Sequence, residues 1–258
     1  MGLEFNYQEE NAKAVDAWAK GGWEWGVPIT RKAYEAALSG DWGLLLTPKK
    51  FVPKEWYAPY LNGNSFKGVK VLGLASGGGQ QMPIFAGLGA DTTVLDYSPA
   101  QLESERIVSE REGYKIDIIR ADMTKTLPFE DNSFDLIFHP VSNCYVEDVY
   151  HVWREAYRVL KRGGVLLAGF DYGVSYMFDE ENPFLAVNKL PFNPLKDPAL
   201  YEKLKNTNSG IQFSHTIEEQ IGGQLLAGFA LTHLFEDTDD YDIGTLMPMY
   251  GATRAVKI

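Results

Sequence analysis

The sequence predicts an α/β fold in which helices cover both faces of a parallel sheet. Between residues 70 and 171, short apolar runs alternate with helical segments. The apolar runs are nearly continuous, which is typical of parallel strands that are buried on both faces. The first of these runs ends in a glycine-rich turn, ASGGG at residues 75–79, directly before a predicted helix.

Residues 1–68 predict a helical, aromatic-rich cap that precedes the alternating region. NAKAVDAWAK and TRKAYEAALSG are helical, the second with Thr30 as its N-cap and Gly40 as its end, and PKEWYAPYL predicts a third helix. The aromatic side chains either fill a core or form the walls of a small-molecule pocket. Five of the six tryptophans lie in this segment: Trp18, Trp23, Trp25, Trp42 and Trp56.

The main domain is predicted to span residues 69–258. Its strands are KVLGL, DTTVLDY, YKIDIIR, FDLIFH, VLLAGFD, ALTHLFED and GATRAVKI, and its helices are QQMPIFAGLGA, SPAQLESERIVSEREG, EDVYHVWREAYRVLKRGG and TIEEQIGGQLLAGF. The second of these helices has clear boundary signals, with Ser98 as N-cap, Gln101 completing a capping box and Gly113 as its end. Residues 173–215, rich in proline and aromatics, interrupt the alternation and predict an irregular insertion.

Composition and charge argue against several classes of protein. The 258-residue chain has 35 acidic residues against 24 lysines and arginines, so its net charge is −11. This charge repels nucleic-acid backbones, and no basic run offsets it. No apolar run approaches the roughly 18 residues of a membrane helix. The single cysteine, Cys144, excludes an internal disulfide and favours a cytoplasmic location.

Candidate ligand-binding residues follow the first four strands, where ligands bind in an open parallel sheet. The glycines let backbone N–H groups approach a ligand at a helix N-terminus. A carboxylate at Asp96 can accept both hydroxyls of a ribose, and one at Asp122 can accept from an adenine amino group, which together predict an adenosine-shaped site. The residues in question, strand by strand, are Ala75, Ser76, Gly77, Gly78 and Gly79; Asp96, Tyr97 and Ser98; Asp122 and Met123; and His139.

The spacing of the glycines separates two candidate cofactors. A dinucleotide site needs G-x-G-x-x-G, whereas this turn has A-x-G-x-G followed by Gln80 and Gln81. The helix–strand–strand tail also differs from the usual second half of a dinucleotide fold. Both observations argue against a nicotinamide cofactor.

As an ordered set, these motifs resemble the class I S-adenosylmethionine-dependent methyltransferases, in particular the type 11-like, small-molecule branch near the ubiquinone and menaquinone biosynthesis enzymes. The motifs are VLGLASGGG, VLDYS, ADMTKTLPFEDNSFDLIFH, RVLKRGGVLLAGF and HTIEEQIGGQLLAGFALTHLFED. The resemblance covers two ranges, roughly residues 68–172 and 214–258. The resemblance implies a Rossmann-like, seven-stranded, mostly parallel sheet with an antiparallel last strand. It also implies S-adenosylmethionine as the cofactor.

Two positions depart from the family pattern. Gly73 stands where most members have an acid, and Ala75 stands where most have glycine. Without that acid, carbonyls of the 75–77 turn, Gln80 and Gln81, or the N-terminal segment must hold the cofactor's ammonium group. The resemblance implies that Ala75, Ser76, Gly77, Gly78 and Gly79 hold the methionine part, Asp96 the ribose, and Asp122 and Met123 the adenine edge, with Tyr97 beside the adenine. The further expected cofactor contacts are Gln80, Ser98 and His139, the last beside the expected position of the methyl group.

Methyl transfer from a sulfonium requires alignment, exclusion of water and, for an O–H or protonated N acceptor, a base. His139 is the candidate base; alternatively, its ring packs internally and only its backbone touches the cofactor. His215 could face the acceptor instead, and Asn143 and Tyr145 could line its site. The cap and the 173–215 insertion are expected to close over the methyl group as a lid, forming a small, mostly apolar pocket with His139 at its floor.

The expected function is therefore methyl transfer from S-adenosylmethionine to a small-molecule acceptor, at oxygen, nitrogen or carbon. Three alternatives stay open: an RNA or protein methyltransferase, a non-catalytic cofactor-binding sensor and a nicotinamide-dependent oxidoreductase. Charge argues against the first and glycine spacing against the last. No nucleic-acid, membrane or metal partner is expected, and the question of a homo-oligomer stays open.

Overall fold

The computed structural model describes residues 5–179, 182 and 184–258. Residues 1–4 of the predicted cap, and residues 180, 181 and Pro183 of the predicted insertion, lie outside the described residues. The strands are β1 Lys70–Leu74, β2 Asp91–Asp96, β3 Asp117–Arg120, β4 Phe134–His139, β5 Leu160–Asp171, β6 Phe229–Asp237 and β7 Tyr250–Lys257. The helices are α1 Tyr7–Lys20, α2 Arg31–Leu38, α3 Met82–Gly87, α4 Pro99–Glu112, α5 Val149–Val159, α6 Pro198–Thr207 and α7 Gly223–Ala227.

The seven strands of the described chain form one sheet in the order β3-β2-β1-β4-β5-β7-β6. β7 is antiparallel to β5 and β6, and the pairings among β1 to β5 are parallel. The predicted mostly parallel sheet with an antiparallel last strand is confirmed. Because β1 pairs with both β2 and β4, the chain order reverses beside β1, and ligands bind at such a reversal beyond the carboxyl ends of the strands.

Each face of the sheet buries its own apolar cluster. In β1, Val71 belongs to one cluster, and Leu72 and Leu74 belong to the other. The second cluster also takes the apolar stripe of α5, which includes the fully buried Trp153. Trp56 of the N-terminal segment packs in the first cluster, so residues 40–66 share the core of the sheet. The boundary predicted at residue 68 therefore does not separate two cores.

Three local expectations were wrong. PKEWYAPYL forms only a 3₁₀ turn, Lys54–Tyr57, because Pro59 lacks an N–H donor and disfavours the helical conformation of the residue before it. The insertion is not wholly irregular, since it contains α6, whose N-cap Asp197 accepts from two backbone N–H groups. Ser98 does cap α4, but the Gln101 side chain donates to the Trp25 carbonyl instead of closing a capping box.

The N-terminal helix α1 and the insertion pack on each other. Both contribute to one apolar group, the cap cluster, which consists of Tyr7, Tyr201, Leu204, Ile211 and Phe213. Asn11 of α1 fixes their relative position, because its Nδ2 donates to the Ile211 carbonyl at 2.9 Å and its Oδ1 accepts from the Ile211 N–H at 2.6 Å. The sequence predicted that these two segments close together, and in the structure they are in contact.

The Asn11→Ala variant should loosen this contact. It leaves the buried N–H and C=O of Ile211 without partners, which costs about 1–3 kcal/mol. Hydrogen exchange should therefore accelerate at Ile211 and along α1, while exchange in the central strands stays unchanged. Lys13→Ala is the matched control, because Lys13 lies on the exposed face of the same helix and pairs only with Glu10. Equal exchange in Asn11→Ala and the wild type would show that this contact does not hold the two segments together.

Candidate cofactor and acceptor site

A cavity of about 390 Å³ lies beyond the carboxyl ends of the strands. Its floor comes from the residues that end or follow β1, β2, β3, β4 and β5, and its roof comes from α1 and the insertion, with Gln8, Asn11, Tyr176 and Gln212 among the lining residues. The cavity therefore lies at the reversal of strand order, and the cap and the insertion both enclose it.

The tryptophans of the N-terminal segment divide between the two predicted roles. Trp23 and Trp25 line the cavity, whereas Trp56 and Trp42 pack in the core of the sheet. Trp18 packs against Trp23, and its indole N–H donates to the Asn208 carbonyl of the insertion. Core filling and pocket lining thus both occur, at different positions of the same segment.

The glycine-rich turn is held tightly between Asp96, α4 and the N-terminal segment. A Cβ atom on Gly77 would lie 2.7 Å from Gln101 Cβ and 2.9 Å from Asp96 Oδ2. Gly78 and Gly79 have positive φ angles of 102° and 70°, and they lie outside the cavity lining. The glycines are thus required by the close approach of protein atoms, and Gly77 also borders the cavity.

Asp96 connects the glycine turn to the start of α4. Its Oδ2 accepts from the Gly77 N–H at 3.0 Å, and its Oδ1 accepts from the Ser98 N–H at 2.9 Å. Burial raises the pKa of this carboxyl, although its backbone hydrogen bonds act in the opposite direction. Each carboxylate oxygen has a further lone pair, so Asp96, which lines the cavity, can also accept from ligand hydroxyls.

The remaining predicted adenosine contacts lie on the same side of the cavity. Tyr97, Ser98, Asp122 and Met123 all line it. Tyr97 donates its hydroxyl proton to Glu9 of α1 at 2.5 Å. The N-terminal helix is therefore fastened at the end of β2, directly over the predicted adenosine position.

The structure explains why Gly73 replaces the usual acid. A Cβ atom at this position would lie 2.7 Å from the sulfur of Met82, which is completely buried. An aspartate or glutamate would need space that Met82 occupies. Ala75, Ser76 and Gln81 line the cavity nearby, and Ser76 donates its hydroxyl proton to Gln81 Oε1 at 3.2 Å.

The expectation that His139 forms the floor of an acceptor pocket was wrong. The side chain is completely buried and does not line the cavity, whereas the following residue, Pro140, does. Its Nδ1 lies 2.8 Å from the Leu74 carbonyl oxygen, and its Nε2 lies 2.9 Å from the Asn143 side-chain amide. Both ring nitrogens are engaged inside the protein, so the side chain cannot reach an acceptor.

Hydrogen bonding identifies the protonation state of His139. Nδ1 must carry the proton, because the Leu74 carbonyl can only accept. Burial holds the pKa of this imidazole below its usual range, which favours an unprotonated Nε2, an atom that can only accept. Nε2 lies 2.9 Å from Asn143 Oδ1, and Asn143 Nδ2 lies 2.9 Å from Gln220 Oε1. A neutral ring therefore requires both amide groups to be rotated by about 180°, with the Asn143 nitrogen toward Nε2 and the Gln220 nitrogen toward the Asn143 oxygen. The histidine is thus a neutral part of a buried network.

Asp171 and Tyr250 are among the cavity residues that the sequence reasoning missed, whereas Tyr176 is one of the insertion aromatics that were expected to form the acceptor pocket. Asp171 is the last residue of β5 and only 9% exposed, and its Oδ1 has no hydrogen-bond partner among the described residues. Desolvation raises its pKa to about 7. The rule that ligands bind at strand ends would have found Asp171 if it had been applied to the fifth strand.

The carboxyl groups that line the cavity have no basic partner in its described lining. Its lining residues in the described chain include three aspartates, Asp96, Asp122 and Asp171, and no lysine, arginine or histidine. This lining suits a ligand with a net positive charge, such as a sulfonium compound. No described helix combines the length and apolar character that crossing a membrane would require.

The sheet and its cavity define a Rossmann-like protein that binds a cofactor at the reversal of strand order. A family model described as "Methyltransferase domain" (Methyltransf_11) matches residues 72–168. The "Uncharacterized methyltransferase YbaJ" of Bacillus subtilis is 43% identical over 254 residues, which cover 96% of this chain and 97% of that protein. The chain belongs to the class I S-adenosylmethionine-dependent methyltransferases.

More distant similarities agree with this assignment. A sterol 24-C-methyltransferase of Aspergillus fumigatus is 31% identical over 120 residues, or 45% of this chain and 31% of that protein. The crystal structure of a putative S-adenosylmethionine-dependent methyltransferase from Listeria monocytogenes has a TM-score of 0.56 and 18% identity, over 75% of this chain and 92% of that one. This last similarity supports the fold alone.

The Asp96→Asn variant should bind S-adenosylhomocysteine more weakly than the wild type by about 1–3 kcal/mol, because it removes a charged hydrogen-bond acceptor. Isothermal titration calorimetry measures this difference. Asp91→Asn is the matched control, since Asp91 is exposed at the opposite end of the same strand. Unchanged affinity in Asp96→Asn would remove the assignment of the ribose to this carboxylate.

The Asp171→Asn variant should change how stability depends on pH. The pKa of Asp171 is 3.8 in its ordinary state and about 7 in the folded protein. At a pH between these two values, the folded protein keeps a proton on Asp171 that the unfolded chain has released. The free energy of unfolding of the wild type therefore falls by about 1.4 kcal/mol per pH unit through this group. Relative to the wild type, Asp171→Asn should gain about 2–3 kcal/mol between about pH 5 and about pH 8.

Urea unfolding at the two pH values tests this expectation. Asp135→Asn is the control, because this carboxylate lies in β4 away from the cavity and accepts from the Lys161 ammonium and the Lys70 N–H. The same pH dependence in Asp171→Asn and the wild type would mean that Asp171 is ionised normally in the folded protein.

Proposed function

We propose that the protein transfers a methyl group from S-adenosylmethionine to a small-molecule acceptor that shares the enclosed cavity with the cofactor. The enclosure carries this proposal, because α1 and the insertion both roof the cavity. A volume of about 390 Å³ lies toward the lower end of the range of about 300–1,000 Å³ for small-molecule sites. The cofactor must share that space, so the acceptor is small while the roof is closed.

The residues present fit the cofactor. The adenosine part would lie at the ends of β2 and β3, with its ribose on Asp96 and its adenine near Tyr97, Asp122 and Met123. Ala75, Ser76, Gly77 and Gln80 would hold the methionine part, and the turn carbonyls with Gln81 would receive its ammonium group in place of the missing acid. Gly78 and Gly79 would act by shaping the turn, and Ser98 by holding the start of α4.

Charge supports a small and non-anionic acceptor. Among the described residues, the lining has no cation to pair with a phosphate or carboxylate, and the net charge of −11 repels nucleic-acid backbones. The relative named as a sterol 24-C-methyltransferase favours a small-molecule acceptor by similarity. The expected cytoplasmic location stays a prediction.

A product-detecting assay separates this function from its alternatives. The purified protein is incubated with methyl-labelled S-adenosylmethionine and, separately, with a low-molecular-mass cell filtrate, total RNA and a protein fraction. We expect label to transfer only in the filtrate. Transfer to RNA or protein would replace the small-molecule assignment. Binding of S-adenosylhomocysteine without transfer to any fraction would favour the sensor function.

A further inference from the structure

We propose that Asp171 is the catalytic base of the methyl transfer and that the acceptor is a neutral molecule attacked through a hydroxyl group. This inference rests on the proposed function. It assigns the acceptor and its base to the side of the cavity that the cofactor contacts leave free.

The order of the strands separates Asp171 from the cofactor contacts. Asp96 ends β2, the glycine turn follows β1, and Asp171 ends β5, with β4 between β1 and β5. The adenosine side of the cavity is therefore at β2 and β3, and Asp171 lies across the turn from it. This is the side where an acceptor can approach a methyl group held near β1 and β4.

Asp171 is a buried carboxyl with one oxygen that is open to a further donor. Its Oδ1 has no partner among the described residues. Tyr176 lies beside it, but the single proton of the Tyr176 hydroxyl is donated to Gln212 Oε1 at 2.7 Å. A buried polar atom without a partner is costly, and a hydrogen bond from the acceptor would remove that cost.

The groups that face Asp171 are uncharged. Cys144 and Tyr145 approach it from the turn after β4, Tyr176 from the insertion and Tyr250 from β7. Burial and the nearby Asp171 carboxylate raise the pKa of the Cys144 thiol and the Tyr176 hydroxyl, so both stay protonated. None of these groups can pair with an anionic acceptor, and none competes with Asp171 as a base.

The chemistry of the step needs such a base. The acceptor oxygen forms a bond to the methyl carbon as the bond from that carbon to sulfur breaks, and the electron pair of the broken bond stays on sulfur. The acceptor's hydroxyl proton moves to the free oxygen of Asp171 and later leaves to solvent. A base whose pKa is near neutral is well matched to this transfer, and the pKa of Asp171 is raised to about 7.

The low-molecular-mass filtrate and a ¹³C-methyl-labelled cofactor test the proposal. Carbon NMR distinguishes methyl groups on oxygen, nitrogen and carbon in the products. We expect an O-methyl product from the wild type and a rate at least about 100-fold lower from Asp171→Asn, with unchanged affinity for S-adenosylhomocysteine. Asp171→Glu should recover part of the rate, and Asp135→Asn should match the wild type.

The pH profile separates a base from a purely structural carboxylate. The wild-type rate should rise as pH increases through about 7 and then level off, and Asp171→Asn should lose this rise. A wild-type rate in Asp171→Asn, or an unchanged pH profile, would overturn the role of Asp171. An N-methyl or C-methyl product would overturn the hydroxyl assignment. Absence of any labelled product from the wild type would overturn the proposed function itself, and this inference with it.

Discussion

The Asp96 carboxylate joins the two turns that carry the predicted cofactor site. It accepts from the Gly77 N–H in the turn after β1 and from the Ser98 N–H at the start of α4. Each hydrogen bond to a charged group contributes about 1.5–3 kcal/mol, yet burial still raises the pKa of Asp96, so desolvation outweighs these bonds. The close approach also requires glycine at position 77, because Asp96 Oδ2 would lie 2.9 Å from a Cβ there. The position of one carboxylate thus fixes both turns.

The glycine turn is also tied to residues 24–29, which follow α1. The Gln80 side chain donates to the carbonyls of Glu24 and Val27, and the Ile29 N–H donates to the Gly79 carbonyl. Residues 24–29 and the turn therefore hold each other in place. The Asn11 contact with Ile211 extends the same connection to the insertion.

Local patterns in the sequence predicted most of the sheet and the adenosine side of the site. β1 and the cap at Ser98 follow from apolar runs and turn residues that act over a few positions. The roof depends on contacts such as Asn11 with Ile211, which are 200 positions apart and leave no local pattern. The role of His139 was mispredicted for the same reason, because its partner Leu74, and Gln220, which bonds its other partner Asn143, come from distant elements. A residue's position at a strand end is visible in the sequence, but the direction of its side chain is not.

His139 and Asp171 show how burial gives two titratable strand-end residues different properties. His139 is the last residue of β4, and Asp171 is the last residue of the neighbouring strand β5. Burial disfavours the charged form of each side chain. The imidazole has partners on both nitrogens, so it is stable as a neutral structural group. The carboxyl of Asp171 borders the cavity, and one of its oxygens has no partner among the described residues, so a bound ligand can complete its hydrogen bonding. A group that is buried, unsatisfied and open to the ligand is the one suited to proton transfer, because substrate binding itself supplies the missing donor.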